Sequence, residues 1–212
     1  MSWPLSQRKS RPHEPAADVL QLPMATDFAL VAALRASRPG AAEALFDRYG
    51  ALVRTVLLRI LGPDPELRDL LHDVFVTALE SIQRLEDPSR LRQWLTSIAV
   101  FSARARIRRR QRFRLFSFWS RSTELEPSVD SPDNELSEAV RCVYSVLDRM
   151  PEGERICFAL RFLMGLEVGE IARTSGVSHA TAKRRIASAR ARFDRLAEQH
   201  AALGPWLKGG GA

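Results

Sequence analysis

Lysine is nearly missing from this sequence. Only Lys9, Lys183 and Lys208 occur, and every other basic residue is arginine. Cysteine is almost as scarce, with Cys142 and Cys157 alone. No Cys-x-x-Cys pair or Cys/His cluster is present, which argues against a zinc site and against a disulfide framework. Both cysteines sit in apolar helical patterns, as expected of buried thiols in a reducing, cytoplasmic compartment. No apolar run reaches the length of a membrane span, so membrane insertion is not expected. The N-terminal stretch MSWPLSQRKSRPHEP has no signal-peptide core and reads as part of a disordered tail over residues 1–25. Glycine-rich phosphate loops and paired carboxylates in a plausible pocket are also lacking. The chain therefore reads as a protein that is not an enzyme and needs no cofactor.

What is present is helical pattern and positive charge. Apolar residues make up 45% of the 212 residues, enough for packed cores. Lys+Arg number 32 against 25 Asp+Glu, a formal charge of +7. Almost every patterned segment has helical period, and no alternating strand is convincing. Four helices are predicted over 26–37, 39–61, 64–85 and 87–114. Thr26, Asp64 and Asp87 are candidate N-caps, with Pro65 and Pro88 at the first helical position. Pro151 is expected to start a later helix in the same way. The stretch RSTELEPSVDSPDNE at 121–135 is polar, acidic and proline-containing. The predicted architecture is all-α, with two small helical domains over 26–115 and 136–199. A flexible linker at 116–135 joins them, and a C-terminal tail fills 200–212.

The second domain contains a short helix around Ile171 and Ala172, then Gly176, then the basic helix SHATAKRRIASARARF from Ser178 to Phe193. Glycine supplies the left-handed turn that closes one helix and launches the next, and Ser178 is a natural N-cap. This is the pattern of a helix-turn-helix. Ala182, Ile186, Ala189, Phe193 and Leu196 recur at three- and four-residue steps and form the packing stripe. Ser178, His179, Thr181, Lys183, Arg184, Ser188 and Arg192 lie elsewhere on the helix and are candidate DNA contacts.

In the first domain, DPELRDLLHDVFVTALESIQRL gives a wide apolar face: Leu67, Leu70, Leu71, Val74, Phe75, Ala78, Leu79, Ile82 and Leu85. Asp69, His72, Asp73 and Val76 share another face. A metal set there would need a further ligand that the sequence does not offer. From Pro88 to Thr123 there is no acidic residue and ten are arginine, seven of them between 104 and 114. So dense a field of one sign calls for a polyanion, and Arg104, Arg108, Arg109, Arg110 and Arg112 are candidate phosphate contacts. Trp94, Ile98 and Phe101 have core spacing. Phe116, Phe118 and Trp119 follow the run and are candidates for a partner surface or base stacking.

These segments resemble the extracytoplasmic-function sigma factors of bacterial RNA polymerase. DLLHDVFVTAL is similar to the signature of the family's second conserved region, and LRQWLTSIAVFSARARIRRR to the segment that follows it. LDRMPEGERICFALRFLMGLEVGEIARTSGVSHATAKRRIASARARF is similar to the fourth region. The resemblance implies that Asp69, His72, Asp73 and Val76 bind core RNA polymerase. It implies that Arg90, Arg92 and the arginines of the run meet the −10 element of promoter DNA, that the helix-turn-helix reads the −35 element, and that an anti-sigma factor is a partner. The chain departs from the family pattern at four places. His72 replaces a glutamine, Val100-Phe101 an arginine-asparagine pair, Ser188 a common arginine and Ala182 a valine. A stand-alone helix-turn-helix regulator is the alternative. An enzyme acting on nucleic acid is a third class, which no motif supports.

Overall fold

The computed structural model describes residues 26–119 and 138–203. The order is α1 (Asp27–Arg35), α2 (Ala41–Leu61), α3 (Leu67–Ser81), α4 (Leu91–Trp119), α5 (Glu138–Asp148), α6 (Glu152–Phe158), α7 (Val168–Ser175) and α8 (His179–Ala197). Short 3-10 turns cover Ile82–Arg84, Pro88–Arg90 and Ala201–Leu203, and α6 continues into a π turn at Ala159–Leu163. No strand occurs among the described residues, in agreement with an all-α fold. α4 runs on to Trp119, so the cluster of Phe116, Phe118 and Trp119 ends a helix where the linker was expected to begin. The linker residues 120–135 and the tails at 1–25 and 204–212 lie outside the described residues.

Helix boundaries follow local chemistry, with shifts. Asp87 accepts a hydrogen bond from the Ser89 amide at 2.9 Å with Pro88 beside it, as expected of an N-cap. Asp64 stands two residues further from its helix than expected, because Glu66 takes the cap position of α3. It still accepts from the Glu66 amide at 3.0 Å. Thr26 holds the cap position of α1 without a side-chain hydrogen bond, and Pro151 is itself the cap residue of α6, with Glu152 first in the helix. α2 ends at Gly62, whose φ of 73° suits a residue without a Cβ.

The first four helices pack around α2 and α4. α2 buries Leu45, Tyr49, Val53, Val56, Leu57, Ile60 and Leu61, at the three- and four-residue steps of an inward stripe. α4 buries Leu91, Leu95, Ala99, Ala103 and Ile107, every fourth residue. Two alanines in that row let neighbouring helices approach closely. Trp94 and Ile98 are half-buried at its edge and Phe101 is exposed, so the aromatic row flanks the core and does not build it. The apolar face of α3 is narrower than its sequence implies. Leu70, Val74, Phe75 and Ala78 are buried, Leu67 and Leu71 are half-buried, and Leu79 is exposed. Seven of the nine apolar side chains lie on α3, while Ile82 and Leu85 are buried in and just after the 3-10 turn that follows it.

The second helical unit packs directly against the first. Ile156, Cys157, Ala159, Leu160, Ile171, Ala172 and Ala182 belong to the same buried cluster as the cores of α2 and α4. Arg155 of α6 is 2% exposed and donates to the carbonyl oxygens of Ile60 at 2.8 Å and Leu61 at 2.9 Å. Its remaining Nη pairs with Asp148. The Tyr144 hydroxyl of α5 donates to the carbonyl oxygen of Leu58 at 3.0 Å. Helix ends leave carbonyls without intrahelical partners and carry partial negative charge. The last turn of α2 is thus capped by a cation and a phenol from the other unit. Cys157 is buried, which raises its thiol pKa, and Cys142 is also free.

Candidate nucleic-acid interface

The arginine run sits on α4, and the buried row through Ala103 and Ile107 fixes where each guanidinium points. Residues four apart share a flank of the helix. Arg104 and Arg108 form one such pair, and both meet Glu152, Arg104 at 2.9 Å. Arg104 also donates to the Ser175 carbonyl at 3.1 Å. Arg106 and Arg110 form the opposite pair and meet Asp64, whose side chain is fully buried. Arg106 grips it in a fork, with both nitrogens at 2.9 Å, and Arg110 lies at 2.7 Å. Arg109 is largely exposed and pairs with Glu66, while Arg112 is exposed. A polyanion is therefore not needed to neutralise the whole run. Asp64, Glu66 and Glu152 do so for five of its arginines, which sequence reading missed because these acids lie about forty residues away. Arg106 and Arg110 act as structural ties. Arg109 and Arg112 face outward.

Upstream of α4, Arg90 is exposed and 3.3 Å from Asp87. The three hydrogen-bonding and ionic contacts of Asp87 with Ser89 and Arg90 hold its carboxyl below the usual range. Arg92 is exposed one residue into α4. Both line a cleft of about 470 Å³ with Ser89, Gln93 and Thr96.

The helix-turn-helix is formed by α7 and α8. A reciprocal capping box between Glu167 and Glu170 starts α7, a feature legible in the sequence as two glutamates three apart. Gly176 closes α7 with φ 66°, as expected. The Ser178 hydroxyl accepts from the Thr181 amide at 3.2 Å and donates to the Thr181 hydroxyl at 2.9 Å. Ser178 and Thr181 therefore stabilise the start of α8. Ala182 and Ala189 are buried, and Phe193 stacks on Phe158 with ring centroids 4.4 Å apart. His179, Lys183, Arg184 and Ser188 are exposed on the outer face. Arg192 is instead held by Glu154 at 2.6 Å.

On α3, Asp69, His72, Asp73 and Val76 are all exposed and follow i, i+3, i+4, i+7 spacing, one continuous stripe. Exposed Leu79 and Phe46 extend its apolar part. The Phe46 ring leans on Phe75 at 5.1 Å and is 48% exposed. Phe46 lies on α2, and no local signal separated it from that helix's buried row.

Residues 45–113 match the family profile for Sigma-70 region 2, and residues 140–193 match Sigma-70, region 4. The two matches span more than half of the chain. The chain belongs to the extracytoplasmic-function sigma factors. The ECF RNA polymerase sigma-E factor of Haemophilus influenzae is 29% identical over 174 residues, covering 78% of this sigma factor and 92% of that protein. The ECF RNA polymerase sigma factor SigX of Bacillus subtilis is 29% identical over 147 residues, covering 66% and 75%. The fold is also that of CnrH solved with the cytosolic domain of CnrY, at a TM-score of 0.58 and 24% identity over 82% of this chain and 99% of that one. Sigma factor RpoE, solved with the anti-sigma factor NepR from Bartonella quintana, gives 0.54 and 20% over 74% and 96%. Region 2 ahead of region 4 on one sigma factor chain disfavours a stand-alone helix-turn-helix regulator. No helix of the described residues is long and apolar enough to cross a membrane.

Proposed function

We propose that this sigma factor docks on core RNA polymerase through the α3 stripe and carries it to promoters bearing matched −10 and −35 elements. The observation that carries the reading is the ordered pair of region 2 and region 4 on one chain. In this division of labour, Asp69 and Asp73 supply charge to a basic partner surface. Val76, Leu79 and Phe46 supply apolar area beside them. Arg90 and Arg92 border the cleft that receives the −10 element, and Arg109 and Arg112 contact its phosphates. Lys183 and Arg184 reach base edges of the −35 element, with His179 and Ser188 alongside.

The protein works in the cytoplasm, where polymerase and chromosome are. CnrH and the Bartonella quintana RpoE were each solved with a binding protein, the second named as an anti-sigma factor. An anti-sigma factor is accordingly a partner of this chain as well. Run-off transcription with purified core polymerase on a library of genomic DNA fragments tests the assignment. Promoter-specific transcripts that need this protein are expected. Transcript patterns identical with and without it would sink the reading.

A further inference from the structure

The apolar row that seats α4 stops at Ile107. Three and four residues further on, where the row would continue, stand Arg110 and Gln111, both half-buried. Arg108, Arg109, Arg112 and Phe113 are exposed, Phe113 at 65%. The outer turns of α4 thus leave their apolar seat, and a helix end without packing is marginal in water. Their anchor is ionic. Asp64 stands in the turn between α2 and α3, and its side chain is fully buried. Its Oδ1 accepts from the Glu66 amide at 3.0 Å and from Nη2 of Arg106 at 2.9 Å. Its Oδ2 accepts from Nε of Arg106 at 2.9 Å and lies 2.7 Å from Nη2 of Arg110. A carboxylate offers about four acceptor sites, and each oxygen of Asp64 has two of them filled. Glu66 extends the cluster, meeting Nη1 of Arg106 at 2.5 Å and also Arg109.

We propose that Asp64 is a positioning residue for promoter recognition. It fastens the outer turns of α4 to the start of α3, and so sets where Arg109, Arg112 and Phe113 stand relative to the docking stripe. Three features carry this. First, Arg106, Arg109 and Arg110 follow i, i+3, i+4 spacing and share a flank. Arg109, Arg112 and Phe113 repeat that spacing one turn on. The flank that meets the two acids therefore continues outward as the flank offered to DNA, and Arg109 belongs to both. Second, Glu66 holds the cap position of α3, and Asp69, the first residue of the stripe, lies less than one turn inside that helix. One short turn of chain thus starts the docking helix and grips the DNA-contacting one. Third, the grip is directional. Arg106 is 10% exposed, too buried to reach a phosphate, and its planar fork on a carboxylate fixes an angle as well as a distance. With α3 held on polymerase, that angle decides which base pairs face Arg109 and Arg112. The proposal rests on the reading of α3 as the docking helix and α4 as a DNA-contacting helix.

The test uses holoenzyme assembled from the full chain and core polymerase. The probes are a promoter fragment recovered by run-off transcription and the same fragment with its −10 element scrambled. A photoreactive benzophenone side chain at position 113 reports, by cross-linking, which nucleotide the outer turn meets. Asp64→Asn keeps the size of the side chain and puts an amide donor where arginine nitrogens were accepted. It is expected to leave affinity for core polymerase within about twofold of wild type. The ratio of promoter to scrambled binding is expected to fall about tenfold, and the cross-link to spread over several nucleotides at undiminished total yield. Arg110→Gln removes the outer tie and leaves the Arg106 fork. It is expected to lower the same ratio about threefold, and it decides alone if Asp64→Asn does not fold. A merely structural Asp64 would lower core affinity and total cross-link yield together. That result overturns the proposal, and so does an unchanged ratio and cross-link in folded Asp64→Asn. An equal loss on both fragments in Arg110→Gln also overturns it, since Arg110 would then be a phosphate contact and not a tie. Wild-type preference for the promoter fragment that Asp64→Asn matches removes only the positioning role. No preference in the wild-type holoenzyme removes the sigma-factor reading beneath it.

Discussion

The Nε of Arg155 lies 2.8 Å from the carbonyl oxygen of Ile60, across ninety-five residues of sequence. A second nitrogen of the same guanidinium meets Leu61, and a third meets Asp148. Burial pushes the pKa of Arg155 below its ordinary value, and Asp148 opposes that shift. A buried cation stays charged only where its donors find partners, and the end of α2 supplies two of them. Arg155→Ala leaves those carbonyls and Asp148 without their partner. The loss is expected to be about 3 kcal/mol in denaturant unfolding. A loss below about 0.5 kcal/mol would mean that water replaces the guanidinium freely.

Both tyrosines of the chain are expected to titrate late. Burial, and then the 2.7 Å hydrogen bond to Asp27, push Tyr49 up to about 12. Burial also raises Tyr144, which donates to Leu58. A folded pKa above the unfolded value means that the neutral phenol is favoured in the fold. This stability is fully present below pH ~10, the unfolded value, and is lost as pH rises through the folded one. Absorbance at 295 nm should therefore show less phenolate at pH ~10 in the native protein than in denaturant, where each phenol is about half ionised. A native curve centred near the ordinary value would place these hydroxyls in water.

Asp69 and Asp73 are exposed on α3, away from its buried side. The double variant Asp69→Arg, Asp73→Arg should keep its helicity and melting temperature. Its affinity for core polymerase should fall at least tenfold, because charges that faced a basic surface now repel it. A folded double variant that binds core polymerase like wild type would rule out this stripe as the docking face.

Lys183 and Arg184 project from α8 while Ala182 and Ala189 anchor it. Arg184→Ala should relax preference at one or two positions of the −35 element by roughly 1–3 kcal/mol and leave the −10 preference intact. Arg192 is held by Glu154, so Arg192→Ala should act mainly on the stability of the α6–α8 contact. The check is selection from a promoter library with each variant. An unchanged −35 preference in both Lys183→Ala and Arg184→Ala would move the reading to His179 or to DNA shape.

The sequence by itself determined the helical class, the order of the two units and the turn of the helix-turn-helix. Each depends on signals within a few residues: apolar steps of three and four, a glycine at positive φ in Gly176, and a hydroxyl at the cap in Ser178. The exposed stripe of Asp69, His72, Asp73 and Val76 was legible for the same reason, since one helix fixes its own faces. The tertiary structure alone decided the fate of the arginine run. A count of nearby acids finds none from Pro88 to Thr123, yet Asp64 and Glu66 from the turn before α3 and Glu152 from α6 pair with five of the arginines. Tertiary packing likewise chose Leu95, Ala99 and Ala103 as the inner row of α4, leaving Phe101 against the turn at Gly176. Periodicity says which side chains share a face. Which face is covered, and which charges meet, is set by helices that the chain brings back from forty or more residues away.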